Sequence, residues 1–191
     1  MRNLLFWRAP LLAAAGEFVW HEHTRQILIT MFLSMVPMYE GRYALPTALT
    51  MGMPTAFAYV LTFLTSSVPV PIILLLLRPV LDWFYTLPIK PVQRFAAWLE
   101  RHAEKKRVNM HKNRGKGIRS LLSEENAELF GLYLFVALPL PGTGVWTGSA
   151  VATLFEMPRG KSAAAILLGN ATACLITTIM WHIGKGAVSM L

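Results

Sequence analysis

Charged residues are scarce in this chain: Asp, Glu, Lys and Arg make up 15% of its 191 residues, whereas hydrophobic residues make up 54%. Soluble domains carry about 25% charged residues, so the composition argues against a soluble protein and indicates an integral membrane protein. Cysteine is nearly absent. Cys174 is the single cysteine, which excludes an intrachain disulfide, and its apolar neighbours in the sequence favour a buried thiol.

Positive charge exceeds negative charge by a formal +8, but the excess is confined to one segment. Residues 78–119 hold 11 of the 18 Lys and Arg residues and only 3 of the 10 acidic residues. A basic loop of this kind marks the cytoplasmic side of a membrane protein. Because a basic patch alone gives only salt-dependent attraction to nucleic acid, we expect no nucleic-acid partner.

Motifs for catalysis are missing from the sequence. It has no phosphate-cradling Walker loop, no nucleophile and base at a recognisable spacing, and no paired carboxylates. His21 and His23 are too few to predict a metal site. We therefore expect no enzyme activity, no cofactor and no metal, and ATP-driven transport by this chain alone is excluded.

Long uncharged runs are what the sequence has in abundance. Asp, Glu, Lys and Arg are absent from residues 26–39, 43–77, 130–155 and 162–181. A helix needs about 20 apolar residues to cross a hydrocarbon core ~30 Å thick. Residues 54–77 and 162–181 satisfy that requirement, and a kink is expected in the first at Pro69 and Pro71, which lack backbone N–H donors.

The other two runs predict re-entrant hairpins. The sequence LPLPGTG divides residues 130–155 into apolar pieces of roughly 9 and 11 residues, each too short to cross the core. Residues 26–36 and 45–52 have the same form on either side of PMYEGRYALP, so we expect unwound chain at residues 37–46. Irregular backbone at membrane depth is tolerated only where it is buried in protein or lines a wet cavity.

A shift of 104 residues aligns the two hairpin regions, placing Met53-Pro54 on Met157-Pro158. Transporters often consist of two halves inverted about the membrane plane, and the uncharged GMPT and basic EMPRGK corners agree with opposite orientations. We predict an all-α integral membrane fold of two inverted repeats. Each repeat is a re-entrant helical hairpin followed by a transmembrane helix, and a basic amphipathic cytoplasmic segment joins them.

The chain divides into four predicted segments. Residues 1–23 form an N-terminal interfacial or membrane-dipping segment, with cleavage as a signal peptide left open; residues 24–77 form repeat 1, residues 78–122 the basic linker, and residues 123–191 repeat 2. The linker has apolar residues at helical spacing, so we expect it to bind anionic lipid. The predicted lipid-binding residues are Arg94, Arg101, Lys105, Lys106 and Arg107. A plain cytoplasmic linker is the alternative.

Two motifs carry a resemblance to a known family. EGRYALP at residues 40–46 and VALPLPGTGVWTG at residues 136–148 resemble motifs of the small multidrug export proteins, and the likeness covers about residues 24–184. That family looks distantly related to the DedA-type membrane proteins, whose members include lipid-carrier translocases. The resemblance implies a multi-pass protein of the inner membrane.

The candidate functional residues lie in and behind the two predicted breaks. Ionisable residues at membrane depth are functional by default, although Glu40 and Arg42 can also be a buried ion pair that holds the hairpin. The second break offers backbone groups, hydroxyls and an indole, or is simply a tight turn, and Asn170 is either a ligand or an interhelical bond. The predicted substrate or proton site comprises Glu40, Arg42, Pro141, Gly142, Thr143, Gly144, Trp146, Thr147 and Asn170.

The function expected from these features is secondary transport or export of a small molecule or ion. Its site would lie between the two hairpins, and proton coupling through Glu40 is one option. Translocation of a lipid or lipid-linked phosphate is an alternative, and so is a membrane-organising protein that transports nothing. The expected partners are the bilayer, anionic lipids and the substrate, and self-association is left open.

The basic asymmetry and an even number of spans predict that residues 78–119 and 156–161 face the cytoplasm, whereas Gly52 and the C-terminus lie outside. The variants Lys112→Cys and Lys185→Cys should therefore react with a membrane-impermeant maleimide from opposite sides of the membrane. The unsubstituted protein, whose Cys174 lies in an apolar run, is the control. Equal labelling of both positions from outside the cell would contradict this topology.

Overall fold

The computed structural model describes residues 20–86, 124–140 and 142–188, together with the single residues 94, 97 and 101. All regular secondary structure in this part of the chain is helical, as the uncharged runs predicted. Residues 1–19 and most of the basic linker, including Lys105, Lys106 and Arg107, lie outside the described residues. Their expected roles stay predictions.

Seven helices have bounds within the described residues, and two of them follow each other closely. They are α1 Trp20–Met35, α2 Glu40–Thr50, α3 Thr55–Ser67, α4 Pro69–Thr86, α5 Glu124–Ala137, α6 Val145–Leu154 and α7 Arg159–Val188. Only Val68 separates α3 from α4. The interruption lies at the predicted proline kink, and Pro69 begins α4, where a missing N–H removes no helical hydrogen bond.

Two stretches are long and apolar enough to cross a membrane. They are Thr55–Trp83, which joins α3 and α4, and Arg159–Gly184 in α7. Large apolar side chains on both are exposed, among them Leu64 at 58% and Leu168 at 63%. Extended apolar surface is unfavourable in water, so these helices are suited to hydrocarbon, as expected of a membrane protein.

The break predicted in the second hairpin is present. α5 ends at Ala137 and α6 begins at Val145, and the described residues between them are irregular. Gly142 has φ +81°, a left-handed conformation that favours glycine because a Cβ atom would be strained there. Residue 141 lies outside the described residues, and the depth of this break in a membrane stays a prediction.

The first break is shorter than predicted. Only residues 36–39 are non-helical, and α2 runs from Glu40 through Pro46 to Thr50. The prediction of unwound chain over residues 37–46, with a half-helix starting at Leu45, was therefore wrong. Pro46 removes the hydrogen bond to the Arg42 carbonyl, but α2 packs against α1 and buries Ala44, Leu45 and Ala48 completely, and burial of this kind outweighs local propensity.

The two Met-Pro corners share one hydrogen-bond pattern. The backbone N–H of Met53 donates to the Ala48 carbonyl at 3.1 Å, and that of Met157 donates to the Ala152 carbonyl at 3.0 Å. The residue before each methionine is left-handed, as in the Schellman motif that ends many helices: Gly52 has φ +85° and Glu156 has φ +57°.

Burial also recurs at the interval of 104 residues. Both members of each of the following pairs are buried: Ala48 and Ala152, Met53 and Met157, Ala58 and Ser162, Thr62 and Ile166, and Ser66 and Asn170. Residues 48–66 and 152–170 thus share the same corner geometry and the same pattern of burial at these positions. Inversion of the two repeats across a membrane stays a prediction.

The chain forms two compact units. Unit 1 comprises Met1–Ser66 and Cys174–Leu191, and unit 2 comprises Ser67–Ala173. Ile27, Leu45, Leu49 and Met53 lie in the buried core of unit 1, with Trp181 packed against it. In unit 2, α6 packs against α4 and α5. Its core contains Val70, Leu74, Leu132, Val136, Val145 and Ile166.

Small residues bring the helices of unit 2 close together. A Cβ atom at Gly148 would lie 2.6 Å from Cγ2 of Val136, and one at Gly169 would lie 2.8 Å from the backbone oxygen of Tyr133. Glycine at both positions lets helices approach more closely than any side chain would allow, as at helix contacts in membranes.

Gly169→Ala should destabilise unit 2, because the added methyl group meets backbone that cannot move aside. We expect a loss of about 1–3 kcal/mol, as for overpacking in other cores, measured as a lower thermal unfolding midpoint of the purified protein in detergent. Gly160→Ala is the matched control in the same helix, since a Cβ atom there has nothing within 4 Å. Equal midpoints for the two variants would show that α7 is not packed closely against α5.

Candidate functional site

A buried polar cluster lies in unit 1. It consists of Glu40, Arg42, Thr62, Ser66 and Cys174, and we call it the unit 1 polar cluster. The exposed fraction is 4% for Glu40 and 7% for Arg42, and it is zero for the other three residues. Charged side chains are almost never fully buried unless they are paired, so a specific arrangement holds these two.

Glu40 begins α2 in an uncommon backbone conformation. Its φ is +47°, and its N–H donates to the Val36 carbonyl at 3.1 Å. A residue other than glycine held in this region stores about 1–3 kcal/mol of strain. One favourable effect at this position is electrostatic, because a carboxylate in the first turn of a helix is stabilised by the helix dipole.

Arg42 lies two positions further along the first turn. On an ideal helix, residues at this spacing point about 200° apart and do not meet. Here the left-handed backbone at Glu40 departs from ideal geometry, and the carboxylate and the guanidinium interact electrostatically. Both charges also interact electrostatically with the side chain of Cys174. Glu40 and Arg42 therefore lie in one environment, although their spacing on an ideal helix would separate them.

Gly41 explains how other helices reach these charges. A Cβ atom at this position would lie 2.9 Å from Sγ of Cys174 in α7 and 3.1 Å from Oγ of Ser66 in α3. Because glycine has no side chain, α3 and the C-terminal part of α7 pack directly against the first turn of α2. The glycine of the EGRYALP motif thus has a packing role.

Hydroxyl groups line the helix surfaces beside the charges. The Thr62 hydroxyl donates to the Ala58 carbonyl at 2.7 Å and to the Tyr59 carbonyl at 3.1 Å. Its side chain is also hydrogen-bonded to Cys174. The cluster therefore sets a carboxylate close to a guanidinium, and a guanidinium can bind an anion. No group of three or more metal-ligating side chains occurs in the described part of the chain.

The predicted residues of the second break lie in unit 2 and stabilise a turn. The Thr143 hydroxyl donates to the Leu138 carbonyl at 2.8 Å, and the Thr147 hydroxyl donates to the Gly142 carbonyl at 2.9 Å. Gly144 is the buried residue that precedes α6, and Trp146 packs against the core of unit 2. These contacts favour the tight-turn interpretation. Pro141 lies outside the described residues.

Asn170 also makes a structural contact. Its Nδ2 donates to Oγ of Ser67 at 3.1 Å within unit 2, and only 2% of its surface is exposed. This is the interhelical hydrogen bond that the sequence left as an alternative to a ligand role. Of the predicted lipid-binding residues, Arg94 and Arg101 fall at described positions and both are exposed.

Sequence reasoning missed three members of the unit 1 polar cluster. Thr62 and Ser66 lie one helical turn apart in α3, and Cys174 follows Asn170 at the same spacing in α7. Small and polar residues at intervals of four within an apolar run were the available signal, since they form one face of a helix. Burial of the Cys174 thiol was expected and is confirmed.

Arg42→Gln should destabilise unit 1 by about 3–5 kcal/mol, because it leaves the Glu40 carboxylate buried without its counter-charge. The double variant Glu40→Gln/Arg42→Gln should recover much of this loss, since neither charge is then buried alone. Arg25→Gln, at an exposed position in α1, is the matched control and should have little effect. Thermal unfolding in detergent measures these three variants and the unsubstituted protein, and a double variant no more stable than Arg42→Gln would contradict pairing.

Comparison with known proteins places the chain in a family. The family described as "Putative small multi-drug export protein" matches residues 40–176, which include both EGRYALP and VALPLPGTGVWTG. No curated protein and no solved structure matches the chain significantly. Because the family match covers most of the sequence and contains the unit 1 polar cluster, the chain belongs to the small multi-drug export protein family.

Proposed function

We propose that this protein is a secondary transporter of the inner membrane that exports a small molecule in exchange for protons, and that the unit 1 polar cluster is its proton site. The observation that carries the proposal is the burial of Glu40 and Arg42 at the start of α2, where 4% and 7% of their surfaces are exposed. Ionisable groups within membrane segments are costly and are generally functional.

Other features support transport. The family is described by export, and the two apolar stretches Thr55–Trp83 and Arg159–Gly184 supply candidate membrane spans. The turn at residues 51–54 connects α2 to the first of these spans. We propose that α1–α2 and α5–α6 are re-entrant hairpins, since neither α2 nor α6 is long enough to cross a core ~30 Å thick at 1.5 Å per residue.

The direction of the long helices supports inverted repeats. Within unit 1, Oγ1 of Thr55 at the start of α3 lies 3.2 Å from Nε2 of His182 near the end of α7. Within unit 2, Arg78 in the second half of α4 is paired with Glu156, three residues before α7 begins. In each unit the contacts pair opposite helix ends, as they do when two spans run antiparallel.

Coupling follows from the electrostatics of the cluster. With Glu40 ionised, the carboxylate offsets the charge of the buried guanidinium. Protonation of Glu40 removes that compensation, so Arg42 must bind another anion or move toward water, because an unpaired buried charge is strongly unfavourable. Substrate and proton are then linked in one of two ways: they compete for Glu40, or Arg42 changes partner between two states of the transporter.

The short break at residues 36–39 can accommodate such a change. Met38 and Glu40 both have positive φ, at +71° and +47°, and Met38 is 70% exposed. Strained backbone of this kind persists only when its surroundings hold it in place, and it clusters at switch regions. We infer that α2 moves against α1 at this break when Glu40 gains or loses its proton.

Glu40→Gln should abolish pH-dependent transport while leaving folded protein in the membrane, because the amide keeps the size of the side chain but cannot be ionised. Proteoliposomes with an imposed pH gradient and a panel of cationic amphiphilic dyes, monovalent cations and short-chain lipid phosphates provide the measurement. The expected result is gradient-driven flux of at least one panel member by the unsubstituted protein and none by the variant.

Glu125→Gln is the matched control, since Glu125 is a half-exposed carboxylate in unit 2 paired with Lys161 at 2.8 Å. It should transport with an unchanged pH profile. Size-exclusion chromatography and thermal unfolding confirm that both variants fold. A folded Glu40→Gln variant with the normal pH profile would make Glu40 a structural partner of Arg42 and end the proton-coupling proposal.

A further inference from the structure

A second charged site lies in unit 2, at the corner between α6 and α7. A cavity of about 260 Å³ opens there, lined by Leu74 and Arg78 of α4, by Thr153 of α6, and by Glu156, Met157 and Arg159. We call it the corner cavity. Liquid water occupies about 30 Å³ per molecule, so the cavity has room for a small oxyanion. None of its residues belongs to the unit 1 polar cluster.

Two arginines give the corner cavity its charge. Nη2 of Arg78 donates to Oε1 of Glu156, and no described residue forms an ion pair with Arg159. The carboxylate of Glu156 and the guanidinium groups of Arg78 and Arg159 together give the cavity lining a net positive charge. Each guanidinium has five N–H donors, so the bond from Arg78 to Glu156 occupies only part of its capacity.

The backbone at Glu156 indicates that its side chain has a specific role. Its φ of +57° falls in the left-handed region, and glycine occupies the equivalent position of the other corner, Gly52 with φ +85°. A residue with a Cβ atom is unfavourable there. Glutamate at this position supplies a carboxylate that forms an ion pair with Arg78. The side chains of Arg78 and Glu156 are 45% and 56% exposed.

The equivalent corner in unit 1 does not have this charge. Counting back 104 residues from His182 gives Arg78, and counting forward from Thr55 gives Arg159. His182 and Thr55 are hydrogen-bonded at 3.2 Å, whereas Arg78 and Arg159 line the corner cavity. Equivalent positions thus lie at both corners, but those of unit 2 are two permanent cations, so the charge exceeds what packing at a corner requires.

We propose that the corner cavity binds a phosphate group, with Arg159 and Arg78 as its ligands and Glu156 as the carboxylate that the phosphate displaces from Arg78. Arginine binds phosphate through paired, charge-assisted hydrogen bonds. The exposure of the ion pair lets an anion reach it. Leu74 and Met157 add an apolar wall, which suits a phosphate carried on a lipid as well as a free phosphate. This site does not depend on the proposed transport function.

Binding to the purified full-length protein tests the proposal, with inorganic phosphate and dihexanoyl phosphatidic acid as separate probes in isothermal titration calorimetry. Arg159→Gln should weaken binding roughly tenfold, because it removes a charge-assisted contact. Arg25→Gln is the matched control, since it removes an exposed arginine of unit 1, and it should bind as the unsubstituted protein does.

A second pair of variants leaves both arginines in place. Glu156→Gln should strengthen binding severalfold, because the phosphate no longer competes with a carboxylate for Arg78. Glu125→Gln changes the net charge equally at a pair outside the cavity and should leave affinity unchanged. Thermal unfolding confirms that each variant is folded.

The outcomes separate the two sources of phosphate. Binding of phosphatidic acid alone would identify a lipid headgroup as the ligand, and binding of both probes at the same site would show that the phosphate group is sufficient. The proposal is overturned if neither probe binds, or if Arg25→Gln weakens binding as much as Arg159→Gln, since the attraction would then come from general surface charge.

Discussion

The burial of Glu40 and Arg42 constrains everything packed around them. Two charges removed from water are tolerated only when each compensates the other and polar groups surround both. That requirement is met by the left-handed start of α2, which brings the charges into one environment, and by Gly41, which admits the side chains of Ser66 and Cys174. The short motif EGRYALP therefore organises three helices of unit 1.

Glycine packing and Schellman corners repeat the same physical solution elsewhere in the chain. In unit 2 the close contacts are made at Gly148 and Gly169, and both corners end a helix with a left-handed residue before a buried methionine. Without a hydrophobic driving force between helices in lipid, close van der Waals contact and backbone satisfaction hold the helices together. Small residues and tight turns accordingly occur in both units.

Charge, in contrast, is distributed unequally between the two segments that the shift of 104 residues aligns. Buried charge is concentrated at the start of α2, and the positions 104 residues later are Gly144 and Trp146. Exposed paired charge is concentrated at the second corner, and the positions 104 residues before Glu156 and Arg159 are Gly52 and Thr55. A common helical framework thus carries two different polar sites. The buried pair is the proposed proton site, and the exposed arginines are the proposed phosphate site.

The sequence by itself determined the helical class, the long candidate spans, the break before Val145 and the Met-Pro corners, because uncharged runs, prolines without N–H groups and glycines at positive φ act locally. It also indicated Glu40 and Arg42, since charges in an apolar run are conspicuous. Only the tertiary structure decided that α2 continues through Pro46 and that Thr62, Ser66 and Cys174 gather beside Arg42. The physical reason is that helices far apart in the sequence pack together. This packing offsets the lost hydrogen bond at Pro46 and determines which polar faces meet, and local residue spacing predicts neither effect.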